Sequence, residues 1–432
     1  MKPNILFFFP DQHRHDYLGT NPDIPVRTPN IDALGARGVR FTNAITPSPV
    51  CAPARACLAS GKRYHRCRVP GNGHDYPLDQ PTYYQHLRDV GYHVLGVGKF
   101  DLSKNTPEWG LDGKRLIDEW GFSDGIDNEG KYDGTRSGKT EPHGPYLKYL
   151  YDRGLAHVHL DDFNRENRHG FHDTHPTKLP DDAYCDNWIS ENGLRLLDEV
   201  PPGVPWHLVI NFTGPHNPMD ITESMYDGRP DVGYPPPVES TELDPDHHNE
   251  IRRNYGAMIE NIDRHVGHFI QAVEVRGELD NTLFVYSSDH GEMLGDHDRW
   301  GKSVPYQPSA GVPLVITGPG VESGIESDAL VEIQDLAATY LEMPDADPLP
   351  GSDAKSLWPV LSGSSETHRE VGISALNDWR FVWDGTHKLI DREGDQPLLF
   401  DLLRDPGETT NVASDRPEEL ERLERRLASE TA

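Results

Sequence analysis

Residues 4–12 read NILFFFPDQ, and this stretch decides the fold. An unbroken apolar burst closed by Pro10-Asp11 reads as a strand buried on both faces, the habit of parallel sheets, with a polar group at its C-terminal edge. The same grammar recurs down the chain. His93–Gly98 runs into GKFDLSK, His207–Phe212 into TGPHNP, Leu283–Ser287 into SSDHGE, and Pro313–Ile316 into TGPG. Helical patterns lie between them: Thr28–Gly38 with Ile31, Leu34 and a closing glycine, Thr82–Val90, Asp182–Glu199, and the longest over 249–276. Strands alternating with helices predict an α/β fold, a large, mostly parallel sheet sandwiched by helices. After residue 345 the texture changes. REVGISA, WRFVWDG, THKLIDR and PLLFDLL predict a smaller C-terminal antiparallel sheet, and RPEELERLERRLA a charged closing helix. The expected division is an α/β domain over 1–345 and an α+β subdomain over 346–432. Residues 104–180 and 217–248 break the pattern and read as long excursions over one face, of the kind that shapes a pocket.

The polar clusters decide where function falls. Asp11-Gln12, Lys99, His216 and Asp289-His290 each follow directly on a predicted strand, the edge at which open α/β sheets bind ligands. Hard divalent cations prefer oxygen ligands with room for a mixed shell, so two carboxylates, an amide oxygen and an imidazole on one edge favour a metal site. Singly, an Asp at a strand end is a helix cap or turn residue. Lys99, Lys302, Arg55 and His216 bring cations and proton donors to the same edge, which suits a small, doubly charged anion. Read alone, Lys302 is equally a solvated loop lysine and His216 a turn histidine between prolines. Cys51, in CAPARACLASG (51–61), has four readings. It is a core thiol, half of a disulfide with Cys57, a metal ligand, or a nucleophile activated by a helix N-terminus and Arg55. Cys57 reads as a packing residue.

Composition narrows the partners. Acidic residues number 71 against 41 basic ones, a formal net charge of -30. Such a surface repels nucleic acid and anionic lipid, so neither is an expected partner. Only 35% of residues are hydrophobic, yet a chain of 432 residues buries enough surface to build a core. An acidic, Lys-poor balance fits a high-salt cytoplasm, where salt screens carboxylate repulsion, or an ordinary acidic enzyme; melting temperature against KCl separates the two. Four cysteines are too few for a disulfide scaffold. MKPNILFFFPDQ lacks the apolar core of a secretory signal, and no run approaches the roughly 20 apolar residues of a membrane span. A cytoplasmic location is therefore expected, or a periplasmic or secreted one if a leader was removed.

With these residues in view, CAPARACLASGKR resembles the signature of the type I sulfatases of the alkaline phosphatase superfamily, Cys/Ser-x-Pro-x-Arg followed by a small-residue helix. The resemblance covers the whole chain. PNILFFFPDQHRHDYLG is similar to the opening strand and metal pair, and TPNIDALGARGVRFTNA to the segment before the cysteine. TYYQHLRDVGYHVLGVGK resembles the segment delivering the active-site lysine, TGPHNP the Pro-His-x-Pro element, and YSSDHGEMLGDHDRWGKS the second metal segment with its lysine. LLFDLLRDPGETTNVA resembles the family's recurrent C-terminal motif. The resemblance implies that Cys51 is converted to formylglycine by a formylglycine-generating enzyme, and that its hydrated aldehyde is the nucleophile. It implies a divalent metal, Ca²⁺ first with Mg²⁺ and Mn²⁺ behind it, on Asp11, Gln12, Asp289, His290 and the modified Cys51. Arg55 would orient the formylglycine; Lys99, His216 and Lys302 would hold sulfate oxygens, with His216 protonating the leaving alcohol.

Two departures from the pattern stand out. The family usually reads Gly-Lys-Trp-His where this chain has Gly98-Lys99-Phe100-Asp101, so the histidine that helps release sulfate is missing. Asp101 is the expected replacement base, with His74 in NGHDY as the alternative near the substrate. Gly311 stands where many relatives carry an arginine. The expected activity is hydrolysis of a sulfate ester of an alcohol, with a sulfated carbohydrate as substrate, by nucleophilic and metal-assisted catalysis. A phosphonate monoester or phosphodiester hydrolase is the alternative within the superfamily, and a catalytically impaired sugar-sulfate binding protein the alternative outside enzymes. A Cys51–Cys57 redox switch explains none of the other motifs. His143, His157, Arg168, His172 and His175 are further candidates for pocket positions.

Overall fold

The strand Asn4–Phe8 sits in the middle of the main sheet because its side chains alternate into two cores. Ile5, Phe7 and Phe9 enter the apolar cluster on one face, and Leu6 and Phe8 the cluster on the other. Burial of each such side chain stabilises by about 1.5–3 kcal/mol, so polar residues are tolerated only beyond the strand. The structure, a computed structural model, describes residues 2–163 and 170–431. Among these, the main sheet has eight strands in the order Asp124–Asp127, His93–Gly98, Trp206–Asn211, Asn4–Phe8, Thr282–Ser287, Leu314–Thr317, Val39–Phe41, Ile325–Ser327. Leu314–Thr317 alone is reversed, antiparallel to both neighbours; the rest run parallel.

Helices cover both faces, as the alternation predicts. Cys51–Ser60, Tyr83–Asp89 and Asp335–Glu342 pack on the Phe7 side through Ala56, Leu87 and Tyr340. Pro29–Ala36, Cys185–Asp198 and Pro245–Val275 pack on the Phe8 side through Ile31, Ile189 and Phe269. Tyr83–Asp89 starts at a capping box, with Thr82 and Gln85 satisfying each other's backbone N–H groups. His93–Gly98 must end in glycine, since a Cβ at Gly98 would lie 1.9 Å from the Asn211 carbonyl oxygen.

The excursion 104–180 is more ordered than its composition predicts. Asp124–Asp127 is the edge strand of the main sheet, and Gly130–Ser137, Pro145–Asp152 and Ala156–Phe163 are helices. The DGID strand carries little apolar periodicity because it is short and lies at the sheet edge. Residues 217–248 hold only the short helix Glu223–Asp227 before the long helix begins. Toward the C-terminus, Gly372–Leu376, Trp379–Trp383, His387–Arg392 and Leu398–Asp401 form the expected antiparallel sheet. One face takes Leu423 and Leu427 of the closing helix Pro417–Glu430. The other packs Trp379, Phe381 and Trp383 on Ile45, Val50 and Ala310, directly behind Cys51. Among the described residues no helix is long and apolar enough to cross a membrane.

Candidate active site

Cys51 opens the helix Cys51–Ser60, all of whose residues are buried. Its small side chains let this helix lie flat in the core, and Pro53 falls in the first turn, where a missing N–H costs nothing. The Ala52 N–H donates to Asn72 Oδ1 at 3.0 Å, filling a cap that the apolar Val50 cannot provide. The Cys51 thiol thus sits at the positive end of the helix. All four cysteines are free, which removes the Cys51–Cys57 disulfide reading, and Cys57 packs in the core.

Four ligand-bearing groups meet at Cys51. One ligand atom each from Asp11, Cys51, Asp289 and His290 lies within 4.8 Å of all the others, and all four residues are buried. Cys51 Sγ is 3.3 Å from His290 Nε2 and 3.7 Å from Asp11 Oδ1. The strand Asn4–Phe8 delivers Asp11 and its neighbour Thr282–Ser287 delivers Asp289 and His290, with the Gln12 N–H donating to Asp289 Oδ1 at 3.0 Å. Gln12 holds a left-handed backbone, φ 73°, pinned by that bond and by Tyr255 Oη donating to its carbonyl at 2.6 Å. A non-glycine residue in this region costs on the order of 1 kcal/mol or more and persists where the surroundings over-determine it. Burial and the charge of Asp11 push the Asp289 carboxyl up. Two buried carboxylates facing one another beside an imidazole form a donor set that fits a hard divalent cation.

Cations ring this acidic centre. Arg55 Nε donates to Asp289 Oδ2 at 3.0 Å, and its Nη1 donates to the Lys99 carbonyl at 2.7 Å and to Asn211 Oδ1 at 2.9 Å. Its Nη2 is buried and, among the described residues, has no hydrogen-bond partner. The Asp11 carboxylate lies 3.9 Å from it, beyond hydrogen-bond reach but close enough for charge attraction. Lys99 Nζ is ion-paired to Asp11, lies 3.2 Å from Asp101 Oδ2, and approaches Cys51 Sγ at 3.9 Å. Burial opposes the Lys99 charge, but Asp101 and Asp11 raise its pKa well above the ordinary value. For the Cys51 thiol, burial and Asp11 push up while Lys302, Lys99 and His290 pull down, and the cations win, bringing it to about 6.

On the far side, Lys302 Nζ donates to Gln12 Oε1 at 2.5 Å and to His216 Nε2 at 2.7 Å. His216 Nδ1 faces the Asn217 carbonyl at 2.6 Å, so the proton is assigned to Nδ1. Burial and the neighbouring Lys302 hold His216 well below its ordinary pKa, and it is neutral.

The expected site residues thus fall into one cluster with one exception, His74. Asp101 is tied to Lys99 and, at 2.9 Å, to Lys104, which also holds Asp133. Burial pushes the Asp101 carboxyl up, but Lys104 and Lys99 outweigh it and hold it well below the usual carboxylate range. His74 is exposed in a turn closed by its own N–H to Gly71, with no side-chain contact to the cluster among the described residues. His143, His157, His172 and His175 do not line the cavity over Cys51; His172 packs on Trp300, and Arg168 lies outside the described residues. At Gly311 a Cβ would meet His15 Nδ1 at 2.7 Å, so His15 fills the space into which a longer residue would extend.

Sequence reasoning missed Asn72 and Asn211, which act through one hydrogen bond each. It also missed Glu292, which accepts from Gln12 Nε2. Asn211 and Glu292 were readable as strand-end residues in VINFTG and SSDHGE. Asn72, in a turn, carried no signal. Above Cys51 opens a cavity of about 250 Å³, bounded by Lys99, Lys104, Thr213, His216 and the helix Gly130–Ser137.

The sulfatase family model matches residues 3–345, and the chain belongs to this family of hydrolases. It is 26% identical to an arylsulfatase of Clostridium perfringens over 95% of this chain and 90% of that protein. It is 30% identical to a choline-sulfatase of Rhizobium meliloti over 95% of this chain and 82% of that protein. In fold it matches the phosphonate monoester hydrolase of Agrobacterium radiobacter with a TM-score of 0.83 at 24% identity, covering 99% of this chain and 95% of that one.

Proposed function

We propose that the chain hydrolyses a sulfate ester of a carbohydrate, with formylglycine made from Cys51 as nucleophile and a divalent cation, Ca²⁺ first, on Asp11, Gln12, Asp289 and His290. The observation that carries this reading is the convergence on Cys51 of two buried carboxylates and an imidazole, ringed by Arg55, Lys99 and Lys302. A cation held there would supply Lewis acidity toward the sulfate oxygens, and formylglycine at residue 51 would supply a hydroxyl as the nucleophile. Maturation requires a formylglycine-generating enzyme as partner.

The protein's own residues do the rest. Lys99 and Lys302 offer ammonium groups to the transferring sulfuryl oxygens, which stabilises charge where it develops. Neutral His216, fixed by Asn217, shares a proton with Lys302 at Nε2, and the pair is the donor for the leaving alcohol. Arg55, held by Asp289 and the Lys99 carbonyl, orients residue 51. Asp101, clamped between two lysines, is a weak proton acceptor and acts as a positioning residue for Lys99. A sugar substrate is supported by the polar walls of the cavity, among them Asn72, Thr213 and Asn217. It is also supported by a 24%-identical relative from Bacteroides thetaiotaomicron named as an N-acetylglucosamine-6-O-sulfatase.

Parallel kcat/KM measurements on 4-nitrophenyl sulfate and a phenyl phosphonate monoester, with a desulfation screen of mono- and oligosaccharide sulfates, test the reading. Preference for sulfate and release of sulfate from a sugar are expected. Preference for the phosphonate, or no release from any sugar, overturns it.

A further inference from the structure

The cavity over Cys51 carries more positive charge than one sulfate requires. Lys99, Lys104, Lys131 and Arg136 line it, against Glu129 and Asp133. Most of these charges are already committed. Lys99 is held by Asp11 and Asp101, and Lys104 by Asp101 and Asp133. Lys131 is paired with Asp220 at 2.5 Å, both side chains buried, which fixes the helix Gly130–Ser137 against the body of the protein. Glu129 accepts the N–H of Leu147 at 2.7 Å.

Arg136 differs. It is exposed, and its guanidinium carbon lies 5.8 Å from the ring centroid of Tyr132, one helical turn earlier and also exposed. Among the described residues its guanidinium has no carboxylate partner. In a chain of net charge -30, a guanidinium on a cavity wall without an acid is placed for an anion that arrives from outside. The cavity of about 250 Å³ falls below the roughly 300–1,000 Å³ of pockets for drug-sized ligands, so it holds about one ring.

We infer that Arg136, beside the Tyr132 ring, forms a second anion subsite. The substrate is a sulfated sugar whose ring carries another anionic group, a second sulfate or a carboxylate, reaching Arg136 while the scissile sulfate lies at residue 51. This inference rests on the sulfate-ester reading above and extends it.

Calorimetry on the Cys51→Ala protein, which binds without turnover, tests it. The probes are hexosamine and uronate monosulfates in their regioisomers, the matching disulfates, and phenyl phosphonate. A second anion tightens binding about 5- to 10-fold at low salt, and the gain shrinks as salt rises. Arg136→Gln abolishes that gain and Arg136→Lys keeps part of it; both melt like the parent, since Arg136 is exposed. No gain from the second anion, or the same gain with Arg136→Gln, overturns the inference alone. Binding of phenyl phosphonate but of no sugar sulfate overturns the sulfate reading beneath it, and binding of no probe overturns both.

Discussion

Asp101→Asn keeps the shape of the side chain and removes its charge from between Lys99 and Lys104. At 3.2 Å and an effective dielectric of about 20, the Lys99–Asp101 attraction is about 5 kcal/mol before desolvation. Both lysines keep a second carboxylate, Asp11 for Lys99 and Asp133 for Lys104. The net loss of stability is therefore about 2–3 kcal/mol, less than for a buried charge left alone. With Lys99 less firmly held, kcat/KM falls about 10- to 100-fold, the scale of a small misplacement of a catalytic group. The loss falls on sulfuryl transfer, so no covalent sulfo-enzyme accumulates. Urea unfolding gives the first quantity, steady-state kinetics the second, and intact mass after rapid quenching the third. A burst of product with accumulating sulfo-enzyme refutes the positioning role and makes Asp101 the base of sulfate release. Unchanged stability and turnover refute any part for it in holding Lys99.

Removing divalent cations by prolonged dialysis against EDTA abolishes turnover and lowers the melting temperature, because Asp11 and Asp289 then face each other without a cation. Ca²⁺ at 100 times its Kd restores about 2.7 kcal/mol of stability, and full activity after dialysis contradicts the metal assignment. In metal-free protein whose Cys51 is unconverted, alkylation of that thiol by iodoacetamide rises with pH through a midpoint of about 6. Cys57 and Cys185 stay inert, their thiols pushed well above the ordinary value by burial; a Cys51 midpoint near 9 refutes the cationic environment. Lys388 and Glu408 form an ion pair at 2.7 Å with both side chains fully buried. Lys388→Met leaves Glu408 buried and unpaired and costs about 3–5 kcal/mol in urea unfolding; pairing it with Glu408→Gln recovers part, and a loss under 1 kcal/mol contradicts the account.

The site was legible where chemistry and strand ends coincide. The apolar runs before Asp11, Lys99, His216 and Asp289 each end at the sheet edge, so one rule located four segments far apart in the chain. What stayed hidden depends on contacts made across the fold. Asp101 reads as a free base until Lys104, three residues on, folds back to clamp it. Asn72 matters only because the helix at Cys51 lacks a side-chain cap. The helix Gly130–Ser137, with four glycine, serine and threonine positions and few apolar ones, has no helical stripe to read and is fixed instead by Lys131 on Asp220. His74 was legible only as a histidine near the motif, and its turn points it to solvent.

The central claim is that residue 51 works as formylglycine. Mass spectrometry of the tryptic peptide 41–55, from protein matured with a formylglycine-generating enzyme, tests it most directly. Conversion lowers the peptide mass by about 18 Da, and turnover of 4-nitrophenyl sulfate should scale with the converted fraction. Full activity in protein whose peptide 41–55 carries an intact Cys51 thiol would contradict the account.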